Sequence, residues 1–213
     1  MQVVWDNIGL LLIGLRSTLI LSAVTVVSGS AVGLLGGVGL LFGPLPVRGL
    51  LRAYVDIVRG LPLLVLIFFI FYGLPAIGLD VRGFEAGALA LSLFAGAHVS
   101  EIVRGGINAV PKGQIDAAKA LGLTFWPRLA WVVFPQAAPS MLPPWINVVV
   151  EMVKGTSLVV LVSVNDLLFA ATKVAERTAN PMPLYLAAAA LYFVVNFAIS
   201  RSGAWLERRL SYG

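Results

Sequence analysis

The residues able to do chemistry are few, and they stand inside long apolar runs. Glu151 and Lys154 are three apart, and Thr156 and Ser157 follow across Gly155. A carboxylate and an ammonium at this spacing can neutralise each other against neighbouring helices. They can equally present charge of both signs, with the two hydroxyls, to a zwitterion passing between them. Gly155 could loosen a helix there and free backbone groups for a polar solute. His98 and Glu101 form a second pair, three apart on one helix face. An HxxE pair can ligate a metal or relay protons, but this is the single histidine, cysteine is absent and a catalytic metal needs three protein ligands. Hydrogen bonding beside a solute path and simple helix packing are the readings left for it. Glu101 is also spaced to pair with Arg104. Pro62, near the start of another apolar run, is either a tolerated N-terminal helix proline or a local break.

These residues need a membrane to position them. Of 213 residues 59% are apolar and only 12% charged, with mean hydropathy +0.95. That excludes a soluble domain and disorder alike. Uncharged stretches of 31, 20, 22 and 23 residues follow Arg16, Arg59, Arg128 and Arg177. About 20 apolar residues suffice for a helix to cross a bilayer, and runs this solid are not the alternating strands of a barrel. The sequence reads as an all-α membrane protein with five spans, near 17–42, 57–74, 84–104, 139–163 and 183–201. Residues 1–213 make one transmembrane domain. Gly43 to Pro46 end the first span, and Arg48 and Arg52 mark a short polar connection. Gly29, Gly33 and Gly37 form a stripe of small residues that lets another helix approach closely.

The net charge of +5 comes from basic residues standing singly between apolar runs, which speaks for topology and against nucleic acid. With the N-terminus outside, ten lysines and arginines fall on the cytoplasmic side against four outside, and Lys154 lies within a span. The positive-inside rule favours that orientation, with a cytoplasmic C-terminus. Trp205 and Tyr212 suit an interfacial belt.

The longest segment between spans, about 105–136, is the cytoplasmic loop. Gly113 to Leu121 reads as a short helix that Gly122 stops by adopting a left-handed cap. Ala117, Ala118 and Leu121 form a small apolar face flanked by Asp116 and Lys119. A second short helix, about 124–133, leads to Pro135. Two short helices joined at a glycine make a knob that either docks on a partner or packs against the chain's own helix ends.

Asp116-Ala117-Ala118, Gly122, Val132, Phe134 and Pro135 resemble the EAA loop of ABC importer permeases, with Asp, Val and Phe in place of its Glu, Ile and Leu. Three further segments are similar to the polar amino-acid branch: Arg59 to Val65, Ser100 to Ile107 leading into Gly113-Gln114, and Lys154 to Leu158. Departures stand at Leu61, His98 and Gly155. The resemblance implies a type I importer fold and a bacterial inner-membrane location. It implies a subunit that couples through Asp116, Ala117, Ala118, Leu121, Gly122 and Pro135 to a dimer of ATP-binding cassette subunits. The other implied partners are a second permease, identical or similar, and an external solute-binding protein delivering a polar amino acid. ATP and magnesium belong to the partner ATPase, since this sequence has no GxxxxGK[ST] run to cradle phosphates. The candidate path residues are Pro62, His98, Glu101, Glu151, Lys154, Thr156 and Ser157. A secondary carrier coupling protons through Lys154 and Glu151 is the alternative, but no inverted repeat supports it.

Overall fold

The computed structural model describes residues 2–211, and every regular element among them is helical. Tyr212 lies outside the described residues. A short α1 (Gln2–Asp6) leads into α2 (Ile8–Phe42). Its 35 residues rise about 52 Å at 1.5 Å each, well beyond a hydrocarbon core of about 30 Å. The helix thus starts well before Ser17, where the sequence predicts the span to begin, and takes in exposed Arg16.

The connection expected after Gly43 is in fact α3 (Leu45–Gly60), a 16-residue amphipathic helix. Arg48, Arg52 and Arg59 recur at helical spacing while Val55 and Val58 are buried. Next comes α4 (Leu63–Ala76), its axis turned 111° from that of α3. The span expected at 57–74 is thus a broken pair, and Pro62 is the cause. A proline excludes its predecessor from the helical region, and Leu61 is accordingly extended at φ −98°, ψ 141°. Pro62 caps α4, so it marks the break as well as the new helix start.

Then α5 (Gly83–Ala109) begins where the Glu85 carboxylate accepts the Arg82 backbone N–H at 3.1 Å. The loop helix α6 (Lys112–Ala120) is followed by α7 (Phe125–Arg128). The chain does not stop at Val133. A π-helical turn, Leu129–Val133, carries α7 directly into α8 (Phe134–Gly155), and a 3₁₀ segment, Thr156–Val162, continues it. Pro135 has no N–H for the carbonyl four residues back, and the ladder widens over the turn before it. Beyond Gly155 the helix tightens to 3₁₀, where the sequence predicts a loosening at that glycine.

An element absent from the sequence reading is α9 (Leu167–Thr178), capped by Asp166, whose Oδ1 accepts the Phe169 N–H at 2.8 Å. Last, α10 (Pro181–Ser211) runs through the expected basic tail as helix. Among the described residues four helical stretches are long and apolar enough to cross a bilayer, and the bent α3–α4 pair, taken as one span, brings the number to five.

The core forms around α5. Gly29, Gly33 and Gly37 of α2 are buried against Ala95, Val99 and Val103 of α5, so the small-residue stripe meets its helix there. Leu91, Met152 and Val159 complete the packing. Toward the N-terminal end of α2 a polar knot fastens α9. Thr18 Oγ1 accepts the Leu167 N–H at 3.1 Å, and the Tyr192 hydroxyl of α10 donates to fully buried Asp166 at 2.9 Å.

Candidate functional site

The break between α3 and α4 sits at the rim of a cavity of about 580 Å³. Arg59, two residues before the break, lines it from α3. His98, Glu101 and Ile102 line it from α5; Ser140, Asn147 and Glu151 line it from α8. On α8, Asn147 and Glu151 are four apart and so share a face, as do Ile102, Gly105 and Gly106 on α5. The two helices contribute the walls, and the two glycines of α5 keep one wall low.

Glu101 is the anchored acid of the cavity. Its carboxylate accepts from Arg104 at 2.7 Å and from Arg52 of α3 at 2.9 Å. The spacing predicts the pairing with Arg104; the second arginine comes from α3, where the sequence predicts only a short polar connection. Held by two guanidiniums, Glu101 does not act jointly with His98. His98 Nδ1 lies 3.0 Å from the Phe94 carbonyl, which can only accept, so Nδ1 carries a proton in this contact. The Phe94 ring, 4.4 Å away between centroids, steadies the imidazole.

Glu151 and Lys154 form no ion pair. Lys154 lies about one turn beyond Glu151 on α8, past the residues that line the cavity. Lys154 is exposed, and Thr156 and Ser157 are tied to their own helix, donating to Val153 O at 2.8 Å and Lys154 O at 2.7 Å. Of the predicted path residues, the structure therefore gathers His98, Glu101 and Glu151. Pro62 shapes the break without lining the cavity, while Lys154, Thr156 and Ser157 lie outside it. Arg59, Ser140 and Asn147 were missed. Arg59 was legible as the charge that precedes an apolar run, and Asn147 as one of two amides, with Gln136, in the uncharged stretch before Glu151.

The loop keeps its expected form through Gly122 and loses its second stop. Gly122 has φ +77°, its N–H meets Lys119 O at 2.9 Å, and the Leu123 N–H reaches back to Ala118 O at 3.1 Å. This is the left-handed closure that favours glycine. Asp116 pairs with Lys119 at 2.9 Å. The apolar face divides: Ala118 is buried against the chain itself, while Ala117 and Leu121 are exposed, Leu121 by 81%. Asp116, Gly122 and Pro135 are exposed as well. An exposed leucine thus stands at the tip of the loop, next to a cap that favours glycine.

Residues 29–212 match the family described as binding-protein-dependent transport system inner membrane component. The chain belongs to that family. The permease is 32% identical over 209 residues to the probable glutamine ABC transporter permease protein GlnM of Bacillus subtilis, covering 98% of this chain and 97% of the relative. It is 30% identical to the glutamine transport system permease protein GlnP of Escherichia coli, covering 97% and 95%. Among solved structures, the crystal structure of an amino acid ABC transporter with histidines superposes at TM-score 0.89 and 33% identity, over 96% of the permease and 95% of that chain. The MetNI methionine ABC transporter shares the fold at TM-score 0.80 and 19% identity. The protein is thus a multi-pass inner-membrane permease of an ABC importer, and ATP hydrolysis belongs to a partner subunit of such systems.

Proposed function

We propose that this permease translocates a zwitterionic polar amino acid through the cavity at the α3–α4 break. The observation that carries the reading is the pair Arg59 and Glu151. They have opposite charge, stand on different helices, line one cavity and are engaged in no ion pair among the described residues. An α-carboxylate meets the Arg59 guanidinium in its preferred forked geometry, an α-ammonium meets Glu151, and the side chain faces His98 Nε2 and the Asn147 amide. Relatives named for glutamine and a solved relative holding histidine support a polar substrate.

The remaining parts follow from the loop. Asp116, Ala117, Leu121, Gly122 and Pro135 dock on a dimer of ATP-binding cassette subunits, where ATP and magnesium reside, and buried Ala118 holds α6 in place. The working unit contains a second permease, and an external binding protein loads the substrate. The N-terminus faces outward and the C-terminus the cytoplasm, as the basic residues favour. The test is uptake of labelled glutamine and histidine by the transporter reconstituted with its partner subunits. Uptake should require ATP, and Glu151→Gln or Arg59→Gln should lower it about 10- to 100-fold, the loss of one charged hydrogen bond of about 1.5–3 kcal/mol. Uptake driven by a proton gradient without ATP, or undiminished in both variants, overturns the reading.

A further inference from the structure

We propose that the C-terminal end of α10 binds one anionic phospholipid, its phosphate between Arg201 and Arg208 and an acyl chain in the groove between α10 and α8. Two concavities join there. Arg201, Ser202, Trp205, Leu206 and Arg208 line the first, about 620 Å³ in volume. Ser202 and Leu206 also border the second, about 370 Å³, whose walls are Ile146 and Val149 of α8 and Ala198 and Ile199 of α10. The first is basic and the second apolar, so polarity changes once along some 15 Å of α10, from Ala198 to Arg208. A phospholipid has the same order, hydrocarbon toward the bilayer centre and phosphate at its edge.

Local packing builds the groove. Gly203 is buried, and a Cβ there would lie 2.5 Å from Ile146 Cδ1, so the two helices touch at that glycine and form the groove floor. The Arg209 guanidinium lies 4.2 Å from the Trp205 ring centroid, holding the indole at the headgroup level where tryptophan prefers to sit. Arg201 and Arg208 are exposed and engaged in no ion pair among the described residues. Their forked donors fit a phosphate bidentately. Such a site requires only that this end of α10 lies at a membrane surface, whichever way the chain is oriented and whatever solute it carries.

The experiment uses the assembled transporter in nanodiscs of zwitterionic lipid doped with brominated phosphatidylglycerol or brominated phosphatidylcholine. Trp205 emission is isolated from that of the other tryptophans by subtracting a Trp205→Phe variant. Brominated phosphatidylglycerol should quench half the signal at a mole fraction on the order of 20-fold below that needed for phosphatidylcholine, about fivefold for each arginine at about 1 kcal/mol. Arg201→Gln with Arg208→Gln should erase that preference, and Ala198→Phe, at an exposed groove position, should weaken quenching by both lipids. Equal quenching means ordinary boundary lipid only and overturns the proposal. A preference that survives both arginine replacements overturns it too. Absence of quenching by either lipid shows that protein covers this face and has the same consequence.

Discussion

Gly122 separates two kinds of damage that most loop mutations confuse. Its φ of +77° is a region that L-residues enter at about 1–2 kcal/mol. A Cβ built on it meets nothing within 4 Å, so within this chain a larger side chain adds no clash. Gly122→Ala therefore carries the backbone penalty alone and should lower the population of the closed cap about 5- to 30-fold. Gly122→Asn should stay near wild type, since asparagine tolerates the left-handed region. Gly122→Trp has the alanine penalty and also projects an indole beside exposed Leu121. All three should insert in the membrane normally. The assay is co-purification with the ATPase subunits, followed by substrate-stimulated ATP hydrolysis. The expected order is Gly and Asn together, Ala reduced, and Trp abolished. If Ala and Trp were equally impaired while Asn stayed near wild type, the loop would matter only as a turn and the docking reading would be wrong.

Three other perturbations probe the frame around the cavity. Glu101→Gln leaves Arg52 and Arg104 sharing a neutral amide and should reduce stability in detergent by about 1–3 kcal/mol, read as a lower thermal midpoint. Gly33→Leu drives a side chain into Val99 at the α2–α5 contact; overpacking there should remove about 1–3 kcal/mol, while Gly9→Leu, in open space, should be near neutral in the same thermal assay. At the knot, Asp166→Ala forfeits the α9 cap and leaves Tyr192 unpartnered, a loss of about 1–3 kcal/mol. Burial raises the Asp166 carboxyl above the usual carboxylate range. Its contribution is then fullest below about pH 3.9 and declines as pH rises through the raised folded value. Asp166→Asn keeps the cap and should flatten that part of the stability-versus-pH curve, measured by thermal shift across the acidic range.

The membrane helices were legible because hydrocarbon demands long uncharged runs, and the Gly29-Gly33-Gly37 stripe because only close helix contact rewards it. The loop was legible through Gly122, whose conformation few residues share. What stayed hidden was amphipathic. In α3 the arginines at 48, 52 and 59 interrupt the apolar signal, so a helix rising beside α5 resembled a polar connection. In α9, Lys173, Glu176 and Arg177 mask a buried face of Leu167, Ala171 and Val174. The cavity was half legible for a related reason. Glu151 and Lys154 stand out equally in sequence, and only the extent of the cavity along α8 decides that one lines it while the other lies beyond it. Continuity from α7 into α8 was misread because Pro135 signals a stop, whereas a π turn absorbed it.

That continuity has a mechanical consequence. The piece of chain next to the loop proposed to dock on the ATPase and the piece that carries Glu151 are one rod, with about 35 Å between Arg128 and Glu151 at 1.5 Å per residue. A tilt of about 5° at the foot moves the far end by about 3 Å, the length of one hydrogen bond. The π turn at Leu129–Val133, wider and softer than the helix above it, is the natural pivot. A small angular stroke below is geared into the making or breaking of a single contact above, and neither end needs to unfold for the work to be done.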